Sequence, residues 1–133
     1  MDAFESDVAP SMTKEEFARA VGCTPESAPF YWGTMYYLDS DKPEDQYCML
    51  PDPFSPKTKP EALNRWLEWT VPFLGGYGIS VRQWPEGWFP DTMDLAMMIL
   101  LRNHIDPIID TITSPGEASI AACVAVLNAK KEG

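Results

Sequence analysis

The tightest constraint on this chain is its proline content, thirteen in 133 residues. Proline lacks a backbone N–H, clashes with the carbonyl four residues back, and pushes the residue before it toward extended conformations. Long uninterrupted helices are therefore not expected, and several short ones divided by Pro-rich connections are. The predicted fold is mainly α: one domain over residues 1–133, with about five short helices around a buried central helix at about 91–104. Residues 1–11 read as an N-terminal arm and residues 39–60 as a long irregular loop rich in proline and acid. Such a length can bury a core without staples, and a hydrophobic content of 45% argues against wholesale disorder.

The predicted central element is the stretch Trp84–Asp110, WPEGWFPDTMDLAMMILLRNHIDPIID. Leu95, Ala96, Met98, Ile99, Leu100 and Leu101 recur at helical spacing with few polar breaks. A helix that is apolar nearly all round is expected to be buried. Asp91 is placed at its cap with Asp94 at N3, and its end near Asn103-His104.

Other helices are marked by their termini. Thr13-Lys14-Glu15-Glu16 is a capping box, followed by Phe17, Ala20 and Val21 on one face and a stop at Gly22. A second helix is expected from Thr24 or Ala28, with Phe30, Tyr31, Met35, Tyr36 and Leu38 on its aromatic face. A third runs from Pro60 through Leu63, Trp66, Leu67 and Thr70, is broken or kinked at Pro72, and ends at Gly75-Gly76. Ser114-Pro115-Gly116-Glu117 starts the last helix, with Ser as cap, Pro at N1 and Glu at N3. Its many small residues predict close packing through Ile120, Val124 and Leu127. Gly78-Ile79-Ser80-Val81-Arg82 alternates but has no evident partner strand, so it reads as extended chain rather than sheet.

Residues 13–32, TKEEFARAVGCTPESAPFYW, resemble the helix-turn-helix of phage-repressor-type regulators. Phe17, Ala18, Val21, the turn Gly22, Cys23-Thr24-Pro25, Ala28 and Tyr31 or Trp32 occupy the matching positions. The resemblance implies a DNA-binding corner. It departs from the pattern where bases are read: the second helix would carry Glu26, no Lys or Arg, and Pro29 inside it.

Twenty acidic residues face ten basic ones, a net charge of −10. This disfavours nucleic acid and anionic membranes and permits a basic protein partner. Cys23, Cys48 and Cys123 are odd in number and lack metal or disulfide spacing, as in a reduced, cytoplasmic or virion setting. The acidic N-terminus does not read as a signal peptide, and the apolar run at 93–101 is too short to span a bilayer. No motif implies a cofactor or metal.

The candidate contacts are aromatic and acidic. Trp84, Trp88 and Phe89 flank Glu86 in a Trp-Pro loop that can act as a rigid recognition surface or as a plug under the central helix. Tyr47 and Phe54 lie in the 39–60 loop beside Asp39, Asp41, Glu44 and Asp45, carboxylates without a calcium-loop pattern. His104, the only histidine, reads as structural. The leading expectation is a non-enzymatic protein that binds another protein or itself. Small size, many Trp and Pro, and the lack of familiar motifs resemble phage-type accessory proteins, as an inhibitor of a host or defence factor or a minor virion component. Two alternatives stand beside it: the DNA-binding regulator, and a carbohydrate-active enzyme using Glu86 with Asp91 or Asp94.

Overall fold

The computed structural model describes residues 12–27, 50, 52–54, 60–84 and 87–132. The chain divides into two units, Met1–Thr58 and Lys59–Gly133, taken in turn below.

In the first unit, helix α1 (Lys14–Ala20) carries the predicted capping box. The Glu16 N–H donates to Thr13 Oγ1 at 3.1 Å, and the Thr13 N–H donates to Glu16 Oε1 at 2.9 Å. Phe17 and Ala18 face inward and Ala20 does not. Gly22 ends the helix at φ +94°, a conformation that favours glycine. Beyond it, Thr24 and Ser27 exchange backbone-to-hydroxyl hydrogen bonds of 2.9 and 3.3 Å, the reciprocal pattern of a helix start. The rest of the predicted second helix, and with it Ala28 to Trp32 of the helix-turn-helix resemblance, lies outside the described residues. Phe54 meets Phe17 edge-on at 5.4 Å, and Lys14 pairs with Asp52 at 3.7 Å.

The second unit opens with a 3₁₀ segment, Pro60–Trp66, that runs into α2 (Leu67–Gly75). Pro72 does not break α2, which continues to Gly75. Glu68, whose carbonyl Pro72 leaves without its helical donor, is exposed, so water can satisfy that group. Trp66, Trp69, Thr70 and Leu74 are buried, with the two indoles edge-on at 6.3 Å.

A β-hairpin follows, β1 (Ile79–Trp84) antiparallel to β2 (Gly87–Thr92), in a register that sets Val81 against Pro90 and Trp84 against Gly87. The expected unpaired segment therefore has a partner. Its partner reads poorly as a strand because Pro90 cannot donate to the ladder, which a two-stranded hairpin tolerates at its edge.

Then come α3 (Leu95–Ile105), a 3₁₀ segment (Asp106–Thr111) and α4 (Pro115–Glu132). The described residues thus hold four α-helices, not about five. Asp94, not Asp91, caps α3, accepting the Met97 N–H at 3.2 Å; Asp91 belongs to β2.

The expectation of a buried central helix at 91–104 is overturned. On α3 only Leu101 and Ile105 are buried. The element that touches α2, α3, both strands and the first 3₁₀ segment is α4. Every residue from Ala118 to Val126 of α4 is buried. Ala118, Ser119, Ala121, Ala122, Cys123 and Ala125 let neighbouring backbones approach on all sides, and bulkier helices cannot be surrounded so closely.

The start of α4 shows the closest approach. Ser114 caps as predicted, accepting the Glu117 N–H at 3.3 Å, whereas the Glu117 carboxylate reaches one residue further, to the Thr113 N–H at 2.7 Å. The Gly116 N–H donates to Asn64 Oδ1 at 2.8 Å. Inside, the Thr70 hydroxyl lies 2.9 Å from Ser119 Oγ, which donates to the Gly116 carbonyl at 3.0 Å. This buried pair ties α2 to α4 with its polar groups satisfied.

Candidate functional site

Helix α3 has two apolar faces, and among the described residues only one of them is covered. Leu101 and Ile105, four residues apart, point to α4 and the second 3₁₀ segment. Leu95 and Ile99, likewise four apart, point outward, 75% and 54% exposed, and Met93 just before the cap is fully exposed at 100%. Scattered apolar residues are normal on a surface, whereas large ones grouped on one helix face mark a contact region.

Beside this face is a cavity of about 380 Å³. Its apolar lining comes from Trp88 and Phe89 of β2, Met98 of α3, and Ile109 and Ile112 around the second 3₁₀ segment; Asp91, Arg102 and Asp106 supply the polar lining. Trp88 and Phe89 are consecutive on β2, and both pack, partly buried, against the cluster of Ile105, Ile112, Ala118 and Ala121. The Arg102 guanidinium sits 5.3 Å from the Phe89 ring centre and 3.9 Å from the Asp106 carboxylate. Arg82 pairs with Asp91 at 3.2 Å. These ion pairs are largely solvated, so each contributes about 0–1 kcal/mol and is easily rearranged. His104, in the last turn of α3, is half-buried, and desolvation lowers its pKa, favouring the neutral imidazole.

The candidate contact residues are distributed unevenly. Trp88 and Phe89 come together at the cavity, half-buried, combining the plug and the surface. Trp84 ends β1 opposite Gly87. Phe54 is in the first unit, against Phe17. Glu86, Tyr47, Asp39, Asp41, Glu44 and Asp45 lie outside the described residues. Sequence reasoning missed Met93, Leu95 and Ile99 as surface and Arg102 as part of the cavity. One signal for them exists: an apolar helix only eleven residues long, bracketed by Asp91, Asp94, Asp106 and Asp110, has charged ends that hold it near water.

Among the described residues no group of three His, Cys, Asp or Glu could hold a metal ion. Cys23 and Cys123 are buried thiols, and burial pushes the Cys123 thiol far up, away from nucleophilic reactivity. Among those residues, too, no helix is long and apolar enough to cross a membrane. Comparison with protein-family models, curated proteins and solved structures returns no match.

Proposed function

We propose that this chain works without catalysis, by docking another protein on the outer face of α3 and the adjoining cavity. The observation that carries this reading is the exposure of Met93, Leu95 and Ile99 beside a cavity floored by Trp88 and Phe89. Each large aliphatic side chain transferred from water to an interface contributes about 1.5–3 kcal/mol, and an aromatic-lined pocket beside it is where interface energy concentrates. The test is purification of tagged wild type and Ile99→Asp from the native source, followed by sizing with light scattering. A stoichiometric partner held by the wild type and lost by the equally folded variant supports the reading. The same partner retained at full occupancy by Ile99→Asp refutes it.

A further inference from the structure

Resting on that docking reading, we infer that the occupant of the α3 face is a basic amphipathic segment of a partner protein, with an apolar anchor in the cavity and Lys or Arg against its acidic rim. Among the described residues nothing covers Leu95 and Ile99, so the surroundings of the face define what fits it. Asp94 stands at the start of α3 between Met93 and Leu95, and Asp91 and Asp106 line the cavity. Asp110 is exposed on the 3₁₀ segment that supplies Ile109. Among the described residues, two guanidiniums stand against these four carboxylates, both already engaged: Arg82 on Asp91, Arg102 on the Phe89 ring and Asp106. The surplus at the face is therefore negative, and the whole chain, at −10, extends that field outward.

Other occupants fit less well. An anionic bilayer would bring phosphate against the carboxylates. A second copy of this chain would bring the same carboxylates onto themselves, and like charges in register oppose association. An acidic helix meets the same penalty. A helix with apolar residues at helical spacing and cations on its flanks matches both the apolar stripe and the rim.

The experiment is a fluorescence-anisotropy titration of the full chain with a labelled synthetic amphipathic helix of Leu and Lys. Two controls accompany it: the same pattern with Glu for Lys, and a scrambled Leu/Lys peptide without an apolar face. Both controls are expected to bind at least about tenfold more weakly. Ile99→Asp decides between docking and bulk attraction. It adds a negative charge, so simple attraction of a cation would strengthen, whereas docking on the apolar face weakens by about tenfold or more. Leu/Lys binding that is unchanged or tighter in Ile99→Asp overturns the proposal. Equal, Ile99-dependent binding of the Glu peptide overturns the basic partner and leaves the docking face standing. A wild-type dimer that Ile99→Asp disperses assigns the face to a second copy and overturns the basic partner as well. No peptide bound by a monomeric protein overturns it too, and the docking face itself is then decided by purification from the native source.

Discussion

Alanine at Gly116 is the sharpest test of how the second unit is held together. A Cβ built there would lie 2.5 Å from the Leu63 carbonyl carbon and 2.6 Å from both Asn64 N and Leu63 O. All three are backbone atoms, so no rotamer change relieves the clash. Restoring ordinary contact needs the 3₁₀ segment and the start of α4 to separate by roughly 1 Å, and dispersion contacts at that junction weaken steeply over such a gap. The shift also stretches the 2.8 Å bond from the Gly116 N–H to Asn64. Overpacking costs about 1–3 kcal/mol, and the weakened hydrogen bond adds about 0.5–1.5 kcal/mol. The intrinsic helix preference of alanine returns at most about 1 kcal/mol. The net expectation for Gly116→Ala is a loss of about 2 kcal/mol, read as a lower urea midpoint and a fall in Tm of roughly 5–10 °C. Gly75→Ala is the internal control. It lies in the last turn of α2 with nothing within 4 Å of a built Cβ, so the same substitution should leave stability unchanged or raise it by up to about 1 kcal/mol. Only Gly116→Ala should lower the midpoint. Equal shifts, or a Gly116→Ala protein as stable as wild type, would refute the close approach and with it the account of why α4 is the hub.

Three further predictions concern the interior. Ser119→Ala removes the hydroxyl beside Thr70 but leaves Thr70 within 3.0 Å of the Trp66 carbonyl, so it should cost only about 1 kcal/mol. With Thr70→Val in a double-mutant cycle, additivity of the two costs would show that the pair is not coupled. His104 titrates near 6.5 in the unfolded chain and lower when folded, so the unfolded state binds more protons between those values. Stability from this group is complete above 6.5 and is lost as pH falls through that window. The stability of wild type minus that of His104→Gln should therefore decline with falling pH; a flat difference contradicts the burial of the ring. In a Cys48→Ser background, native protein should not react with Ellman's reagent, and both remaining thiols should react in denaturant, because Cys23 and Cys123 are fully buried. Rapid native labelling would contradict that burial.

What could be read from the sequence was local chemistry. The Thr13–Glu16 box, the Gly22 stop at positive φ and the Ser114-Pro115 start appear where short-range hydrogen bonding and φ preferences place them; α2 also ends at Gly75-Gly76, though Gly76 keeps a helical φ of −66°. Trp66 and Thr70 are buried as their spacing predicts, while Leu67 is only partly so, and Ile120 and Val124 lie on a helix that is buried all round from Ala118 to Val126. Long-range choices were not legible. Pro90 makes β2 hard to read as a strand, yet among the described residues the hairpin has no third strand, so a missing N–H at its outer edge breaks no ladder. The greater miss concerned which helix lies at the centre, because hydrophobicity ranks α3 above α4 whereas volume ranks them the other way. In the candidate site, Trp88 and Phe89 were foreseen together; Leu95 and Ile99 were assigned to the core because periodicity cannot distinguish a helix buried on all sides from one awaiting a partner.

That distinction has a measurable consequence for α3. If its outer face contributed to the fold, charges placed there would be as damaging as cavities made on its inner face. Leu101 is fully buried against α4 and its neighbours, and Leu101→Ala should cost about 2–5 kcal/mol through lost transfer energy and the cavity left behind. Leu95 and Ile99 remain exposed and have little burial to lose. Leu95→Asp also places a carboxylate in the first turn of a helix, where the dipole favours it. Both Leu95→Asp and Ile99→Asp should therefore change unfolding free energy by no more than about 0.5 kcal/mol, measured by urea denaturation, and should raise solubility. A large destabilisation in either would mean that the face is covered within the fold, and the docking reading would fall with it. Neutral stability combined with lost partner binding is the outcome that separates a surface kept apolar for contact from one apolar for folding.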